Sequence, residues 1–523
     1  SFAVKDGRIL EVGKNDSILA KYESKHMIDA QGKAVFPGFI DAHCHFLHYG
    51  LGLTEVDLVG TKSFDDVLAR VEEFAKRADG EWIVGRGWDQ NDWDQKKFPE
   101  RRKLDSLFPG RPVILTRIDG HAALVNGEAL QRAGIHYMTE VSGGDVEVIS
   151  VNPDDDPDLD PNARGEMKHM GYPSHRMTGI LIDNAVDLVK AIIPKPSNDD
   201  LFYALLAAQK NCLAMGITTV DDAGLLKYEI DAIDTLHRRG TLKMRVYAML
   251  SDSAPNYAAY TKPYKTERLN VCSYKFYADG ALGSRGACLL APYTDMPAKQ
   301  GFLLSTQTHF EEKFVWALQH GFQCNAHCIG DSANRLVIAL YQKYLRDVRD
   351  KRWRIEHAQV VSAADQLLLN TADNIIPSVQ TTHATSDMYW AGERLGPERV
   401  KTAYAYADLL KQSKRLALGT DFPVENISPF YTFYAAVVRK DLKGWPAEGY
   451  QSENALTREQ ALRGMTSWAA WSNFEEKEKG SLEAGKFADF IILEEDMMKA
   501  PFEKLPAINV KATFINGEKV YGE

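Results

Sequence analysis

The sequence has no C-x-x-C motif and no apolar run approaching the ~20 residues of a membrane-spanning helix. Its six cysteines are spread along the chain, which favours small buried thiols in a reduced protein over disulfide bonds. They are Cys44, Cys212, Cys272, Cys288, Cys324 and Cys328. No secretory signal is recognisable, although the chain opens within a strand-like pattern at Ser1, as if a preceding segment had been removed. A cytoplasmic location is expected.

The sequence also lacks a Lys/Arg-rich stripe, and its formal net charge of −10 argues against a nucleic-acid partner. Hydrophobic residues make up 45% of the chain and charged residues 26%, which is typical of a soluble globular protein. A chain of 523 residues is too long for one small domain. Its length therefore predicts either one large α/β barrel with insertions or several domains.

An H-x-H motif stands near the start of the chain. The apolar run over 36–41 leads directly into His43-Cys44-His45, and side chains two apart in a strand point to the same side. Two neutral imidazoles so placed can bind one borderline-soft divalent metal. Because the chain has 14 histidines, ordinary strand-end histidines remain the alternative until further ligands are found downstream.

Both ends of the chain carry short strands separated by turns. Near the start, the turn at 5–8 contains Asp-Gly between two apolar runs, which predicts a hairpin. Near the end, predicted strands at 488–493 and 510–515 precede an Asn-Gly turn. Neither end has enough strands to bury a core alone. We therefore predict one small β-sandwich domain built from residues 1–37 and 478–523, with two separate flaps as the alternative.

Between these ends, short apolar strands alternate with helical stretches. This alternation of eight strands with helices predicts an α/β fold, a (β/α)8 TIM barrel over residues 38–477. The strands lie before His43 and at 217–220, 242–250, 273–278, 322–326, 354–356, 375–379 and 415–419. In such barrels the chemistry lies at the C-terminal ends of the strands.

Residues 50–200 interrupt the alternation as a large insertion after strand 1. The insertion contains a predicted helix around Val71 and predicted strands at 82–86 and 112–117. Its acidic loop from Asp154 to Asn162 lacks the regular ligand spacing of a calcium site, so a solvated loop is expected. An insertion at the C-terminal end of a first barrel strand would lie over the active site, so we interpret it as a cap subdomain.

The barrel prediction places metal ligands where strands end. Candidate side chains follow the fourth, fifth, sixth and eighth strands: Lys275, His327, His357 and Asp421. Taken singly, a strand-end histidine is more often a hydrogen-bonded core residue, and an aspartate before Phe-Pro is more often a turn or cap. Together with the H-x-H pair, these residues predict one metal site on one rim.

Lys275 is the unusual member, because an ammonium group does not bind a dication. A buried lysine is costly unless its charge is lost. Carboxylation by CO₂ would convert it to a carbamate, an anionic ligand that can bridge two metals. The alternative is a lysine paired with Asp279 or with a substrate carboxylate.

At these positions the chain resembles a known family. The run GFIDAHCH at 38–45 is similar to the first-strand signature of the amidohydrolase superfamily, and His327, His357 and Asp421 resemble its other ligands. Four further runs are similar to the branch that contains N-substituted formamide deformylase-like enzymes. They are WIVGRGWDQ at 82–90, DGHAALVN at 119–126, KFYADGALGSR at 275–285 and AHCIGD at 326–331. The resemblance covers almost the whole chain and says little about the substrate.

The resemblance implies a binuclear zinc centre, with a single metal as the alternative. The implied ligands are His43, His45 and Asp421 on the first metal and His327 and His357 on the second, bridged by a carboxylated Lys275. A small-molecule substrate and a homodimer are also expected. The branch often ends its second strand in His-Asp, whereas this chain has Asp221-Asp222, which puts a local hydrogen bond in doubt.

The expected reaction is hydrolysis of an amide-type C–N bond, for example in an N-formyl or N-acyl amine. Two dications that share a water lower its pKa towards neutrality and supply hydroxide, and Asp421 can act as general base and acid. A deaminase, lactonase or isomerase on the same site is an alternative, although no H-x-x-E follows the fifth strand as a deaminase would favour. A non-catalytic regulatory scaffold is the third possibility, and it is disfavoured because all six ligand candidates are present.

Outside the ligand set, His121 is the main catalytic candidate, because it could donate to the substrate carbonyl. Its alternative role is to stabilise the cap. Trp88 and Asp89 are candidates for a substrate-binding wall, with plain packing as the alternative. Arg285 could bind a substrate anion or form a surface ion pair.

Overall fold

The computed structural model describes residues 1–78, 80–156, 159–170, 172–370 and 374–522. The chain divides into two compact units. The first contains Ser1–Leu51, Pro196–Ala278 and Thr306–Glu523, and the second contains Gly52–Lys195 and Asp279–Ser305. The second unit thus adds a distant segment to the predicted insertion. Within the predicted acidic loop, Pro157 and Asp158 lie outside the described residues.

The strands in the described part of the chain are numbered in chain order. They are β1 (Phe2–Lys5), β2 (Arg8–Val12), β3 (Ala34–Pro37), β4 (Phe39–Cys44), β5 (Val56–Asp57), β6 (Ile83–Trp88), β7 (Val113–Arg117), β8 (Ala122–Val125), β9 (Gly144–Val151), β10 (Ser174–Asp183), β11 (Ile217–Leu225), β12 (Arg245–Ser251), β13 (Tyr264–Lys265), β14 (Leu269–Tyr277), β15 (Gln323–Cys328), β16 (Trp353–His357), β17 (Ile375–Gln380), β18 (Ala417–Gly419), β19 (Phe490–Leu493), β20 (Val510–Ile515) and β21 (Glu518–Gly522).

The helices are numbered in the same way. They are α1 (Asn15–Lys21), α2 (Phe46–Gly52), α3 (Phe64–Ala75), α4 (Arg102–Leu107), α5 (Gly127–Arg132), α6 (Pro161–Met170), α7 (Asn184–Lys190), α8 (Asn198–Ala214), α9 (Lys227–Arg238), α10 (Ala254–Ala259), α11 (Gln307–His320), α12 (Asp331–Leu345), α13 (Ala363–Gln366), α14 (Thr381–Asp387), α15 (Ala391–Arg399), α16 (Tyr406–Ser413), α17 (Pro429–Val438), α18 (Arg458–Gly464) and α19 (Ser467–Ser472). Short 3₁₀ turns occur at Gln90–Asp92, Pro153–Asp155, Leu367–Leu369, Val400–Thr402, Ser452–Asn454 and Phe502–Ala507.

The first unit contains the predicted barrel. Its eight parallel strands pair in the order β18-β17-β16-β15-β14-β12-β11-β4, and the short β13 joins β14. The two end strands meet where Asp421 N donates to His43 O at 2.7 Å, so the sheet is nearly closed. Every residue of β4, β15, β16 and β17 is buried, as expected for parallel strands covered on both faces. The TIM-barrel prediction is confirmed.

The terminal strands of the first unit form two small sheets. One pairs β1 with β2, and the other has the order β21-β20-β19-β3, so strands from both chain ends share it. Phe2 meets Phe490 edge-on at 5.0 Å between ring centroids, and Phe490 stacks on Phe514 at 4.3 Å. These rings form the apolar interior of the small β-sandwich. Gly38 N donates to Asp489 O at 3.0 Å where β3 leads into β4.

The second unit is built on a mixed sheet with the order β5-β6-β7-β8-β10-β9. Alternation along β7 divides its side chains between two apolar clusters, because neighbours in a strand point to opposite faces. Val113 and Leu115 pack in one cluster with residues of α3, and Ile114 packs in the other with residues of α5 and α7. β6 and β7 match the predicted strands, whereas β8, β9 and β10 were not predicted.

Within the described residues, no helix combines the length and apolar composition that a bilayer crossing requires. All six cysteines carry free thiols, and four of them are buried.

Candidate metal centre

The six ligand candidates lie at the C-terminal ends of barrel strands in the first unit. His43 is on β4 and His45 directly follows it, while His357 ends β16 and Asp421 lies two residues beyond β18. His357 and Asp421 have φ values of 69° and 63°, in the left-handed region that non-glycine residues seldom adopt. The remaining two candidates, Lys275 and His327, are within β14 and β15.

Three of these residues form a compact cluster. The nearest ligand atoms of His43, His357 and Asp421 all lie within 4.8 Å of one another, and the three residues are buried. His45 Nε2 lies 3.3 Å from Asp421 Oδ1. His327 is also buried, and its ring centroid is 4.6 Å from that of His357. The strand ends thus bring five imidazole and carboxylate groups together.

Three of these imidazoles are each oriented by a hydrogen bond at the Nδ1 atom. His43 Nδ1 lies 2.6 Å from Glu356 Oε2, His45 Nδ1 lies 3.1 Å from Ala223 O, and His357 Nδ1 lies 2.6 Å from Gln380 Oε1. Because all three partners are acceptor oxygens, each Nδ1 donates, and a neutral ring held in this way presents the lone pair of its Nε2.

Burial keeps two of these rings neutral. It lowers the pKa of His43, with a further contribution from the charge of Lys275, and it lowers the pKa of His357 well below the usual value. Asp421 Oδ1 is buried with no hydrogen-bond partner among the described residues, although Nε2 of His43 is only 3.7 Å away. Lone pairs and an anionic oxygen that face one another are stabilised by a cation. Imidazole and carboxylate donors are the ligands of zinc, so the residues fit a divalent metal.

Lys275 is buried beside this cluster. Its Nζ lies 3.2 Å from His43 Nε2 and 4.8 Å from the centroid of the Tyr277 ring. Burial lowers the pKa of Lys275 to about 8, although the nearby Glu356 carboxylate opposes the shift. A neutral amine is therefore accessible near physiological pH, and the neutral amine is the form that reacts with CO₂.

The second strand departs from the pattern of the branch, and the structure shows what its two aspartates contact. Asp221 Oδ2 accepts from Arg354 Nη2 at 2.8 Å, and Asp221 Oδ1 accepts from Asn473 at 2.7 Å. Asp222 accepts the Phe46 and Leu47 amides at 3.0 and 3.1 Å, which caps the start of α2 just after His45. Both carboxylates thus make structural hydrogen bonds within the first unit.

Sequence reasoning missed Glu356, Gln380 and His383. Glu356 and Gln380 hold the imidazoles of His43 and His357. Burial alone would raise the pKa of Glu356, but the nearby His43 and Arg354 lower it below the usual value. His383 lies on α14, directly after the seventh strand, with Nε2 3.7 Å from Asp421 Oδ2. Applying the strand-end rule to the seventh strand would have found it.

The other predicted residues lie in the second unit. His121 Nδ1 is 2.6 Å from Asp183 Oδ1, and the Asp183 backbone has φ 50°. Asp183 Oδ2 has no hydrogen-bond partner among the described residues, but a Cβ at Gly280 or Gly286 would come within 2.3 or 2.2 Å of it. That oxygen is therefore packed against backbone and has no room for an ion.

Asp89 and Trp88 are held inside the second unit. The buried Arg117 guanidinium pairs with both Asp89 and Asp119. Trp88, the last residue of β6, is buried and donates from Nε1 to Leu115 O at 2.7 Å. It packs in the same apolar cluster as Val113 and Leu115. Arg285 Nη2 pairs with Asp295 at 2.8 Å. These contacts are structural, and roles in substrate binding stay predictions.

Comparisons with known proteins agree with this geometry. The sequence model of the amidohydrolase family matches residues 26–152 and 160–521. The Arabidopsis thaliana protein LONG AFTER FAR-RED 3 is 32% identical over 543 residues, which cover 100% of this chain and 88% of the relative. N-substituted formamide deformylase from Arthrobacter pascens is 24% identical over 536 residues, covering 98% of this chain and 93% of the relative.

A solved structure is also similar over nearly the whole chain. It is an uncharacterized metal-dependent hydrolase from Pyrococcus horikoshii, 26% identical with a TM-score of 0.74. The match covers 96% of this chain and 94% of that chain.

Proposed function

The chain belongs to the amidohydrolase family, and we propose that it hydrolyses an amide-type C–N bond of a small molecule at a metal centre. The observation that carries the proposal is the convergence of neutral imidazoles on the unpartnered oxygen of Asp421. The proposed ligands are His43, His45, Lys275, His327, His357 and Asp421. Zinc is the expected ion, with two per chain and a carboxylated Lys275 between them.

A bound metal would supply Lewis acidity, which lowers the pKa of water and polarises a carbonyl. The chain's own residues handle the protons. Asp421 is placed to take a proton from the attacking water and deliver it to the leaving nitrogen. In the balanced reaction, the water oxygen bonds to the carbonyl carbon, the C–N bond breaks, and the products are a carboxylic acid and an amine.

N-formyl or N-acyl amines are the proposed substrate class. Support comes from the similarity to a relative named N-substituted formamide deformylase. His121 as a donor to the substrate carbonyl and Arg285 as an anion-binding residue remain predictions, and so do a cytoplasmic location and a homodimer.

Metal analysis and one variant test the proposal. We expect about two zinc ions per chain in the wild type and hydrolysis of at least one substrate in a panel of N-formyl amines, N-acyl amines, cyclic ureas and lactones. Asp421→Asn should keep the metals bound by the histidines but lose roughly 10²–10⁴-fold in turnover. Full turnover in that variant would end the proposed role of Asp421. Activity only toward lactones would replace the C–N assignment.

A further inference from the structure

His383 is a buried histidine that belongs to no predicted ligand set. It lies in the first turn of α14, where Thr381 Oγ1 donates to Thr432 O at 2.6 Å and fixes the helix start. Its ring stacks on His357, with centroids 5.9 Å apart and an interplanar angle of 18°. Only 9% of the residue is exposed. The ring is therefore held in place rather than free to turn into solvent.

The Nε2 atom of His383 is buried and has no hydrogen-bond partner among the described residues. It lies 3.7 Å from Asp421 Oδ2, which is too long for a hydrogen bond. A buried donor or acceptor left unpaired is unfavourable, and such atoms often mark a place where a ligand completes the bonding. His383 Nε2 and Asp421 Oδ2 thus face a position that one polar atom can fill.

The two oxygens of Asp421 face different partners. Oδ1 faces the Nε2 atoms of His43 and His45, at 3.7 and 3.3 Å. Oδ2 faces His383 Nε2. The carboxylate therefore presents one oxygen to the proposed metal ligands and the other to a separate position beside His383.

We propose that His383 Nε2 and Asp421 Oδ2 together bind the leaving nitrogen of the substrate, an inference that rests on the proposed function. An atom about 2.8 Å from each can lie between two atoms 3.7 Å apart. As the C–N bond breaks, its electron pair becomes a lone pair on nitrogen. That lone pair accepts from His383 Nε2–H, while Asp421 Oδ2 delivers the proton taken from the attacking water to the other pair, which the nitrogen shared with the carbonyl in the amide.

This arrangement discriminates between ground state and transition state. In a planar amide the nitrogen lone pair is delocalised into the carbonyl and accepts hydrogen bonds poorly. The pair that His383 contacts is released only as the C–N bond of the tetrahedral adduct breaks. A hydrogen bond that forms only then accelerates the reaction rather than merely tightening substrate binding.

The test is the dependence of kcat/KM on the basicity of the leaving amine. The probes are N-formyl compounds ranging from N-formyl-p-nitroaniline, whose amine departs readily, to N-benzylformamide, whose amine needs the most help. His383→Ala should lose about 10²–10³-fold on N-benzylformamide, the cost of removing one oriented donor. It should stay near wild type on the p-nitroanilide. His383→Gln, which restores an N–H donor, should recover part of the loss.

The matched control is His237→Ala. His237 is a half-buried imidazole of the same unit with one hydrogen bond, from Nε2 to Met244 O at 3.0 Å, and a buried Nδ1 without a partner among the described residues. Its removal should affect all probes equally. Bound zinc in His383→Ala should equal that of the wild type.

Suppose that the wild-type enzyme hydrolyses the formamides. The inference is then wrong if His383→Ala loses kcat/KM equally on every leaving group, or if the variant loses its zinc. A wild type that cleaves none of the probes would instead refute the C–N proposal, and the role of His383 with it.

Discussion

Each unit buries a cluster of histidine and carboxylate side chains, but the two clusters differ in how charge is compensated. In the second unit, Arg117 pairs with Asp89 and Asp119, and His121 pairs with Asp183. In the barrel, imidazole lone pairs converge on Asp421, whose Oδ1 is buried without a hydrogen bond among the described residues. The first cluster pairs its carboxylates with cationic side chains of the same unit, and the second is the candidate metal site.

The difference shows that residue type alone does not identify a metal site. Both clusters contain histidine and aspartate, although His121 is only half-buried, and both lie at strand ends. What separates them is whether the carboxylates are already paired with an arginine. The comparison can be tested by removing the compensation in one unit and supplying it in the other.

The largest effect is expected from Arg117→Met. The variant leaves two carboxylates, whose side chains are only 17% and 14% exposed, without their counter-charge, so the second unit should lose about 3–5 kcal/mol of stability. Hydrogen exchange of peptides covering β6 and β7 measures this locally, because each strand reports the opening of its own unit.

Arg132→Met is the control for that variant. Arg132 pairs with Glu81 and Glu128 at the surface, and its loss should leave exchange in β6 and β7 unchanged. Unchanged protection of β6 in Arg117→Met would mean that the two clusters do not differ in compensation.

The next effect is stabilisation of the barrel by zinc. At 100 times its dissociation constant, a ligand that binds only the folded protein stabilises it by about 2.7 kcal/mol. Peptides from β4 and β16 should therefore exchange more slowly with zinc, whereas those from β6 and β7 should not. His357→Asn should abolish the effect, and His309→Asn, which removes an imidazole paired with Asp252 at 2.6 Å, should keep it. Equal protection of both units by zinc would contradict the assignment.

A smaller effect is expected from Glu356→Gln. The amide can still accept the hydrogen bond from His43 Nδ1 but no longer carries a charge, so zinc affinity should fall about 10–100-fold. Competition with a chromophoric chelator measures this. Glu475→Gln neutralises another buried carboxylate, which pairs with Lys479 at 2.6 Å, and should leave the affinity unchanged. Identical affinities in the two variants would show that Glu356 does not support the ligand.

The smallest effect is a pH dependence in the second unit. Burial alone would lower the pKa of His121, but the hydrogen bond and charge of Asp183 raise it above the usual 6.5. The stabilisation is therefore complete below pH 6.5 and is lost as the pH rises through the raised pKa. Exchange of β8 and β10, corrected for intrinsic rates, should show this loss in the wild type and not in Asp183→Asn. A pH profile unaffected by that substitution would exclude the pair as its source.

Most of the barrel could be predicted because its strands are short buried runs between helices. The prediction was less accurate where the local signal is weak. β12 begins at Arg245 rather than at 242, and β18 has only three residues, Ala417–Gly419. In the second unit, β9 and β10 carry polar residues such as Glu147 and Arg176, which hide a strand pattern. The joining of Asp279–Ser305 to that unit depends on tertiary contacts with no local signal.

The candidate site, like the fold, could be predicted only in part from the sequence. The strand-end rule predicted His327, His357 and Asp421 as ligands, and the structure brings them near one another because topology places the ends of parallel strands at one rim. It could not identify Glu356, because that residue acts through a contact with His43 on a strand far away in sequence. The trio of Arg117, Asp89 and Asp119 was invisible for the same reason, since pairing is a property of the folded chain.

The small sheet shared by the two chain ends has a consequence for biosynthesis. Lys33, just before β3, pairs with Glu494, which lies 461 positions later. At about 5–20 residues per second, translation reaches that partner roughly 23–92 s after Lys33 has been made. Throughout that time β3 lacks its antiparallel neighbour β19. The nascent chain must therefore keep an apolar strand edge from pairing wrongly, so its dependence on chaperones is expected to be greatest before the final residues emerge from the ribosome.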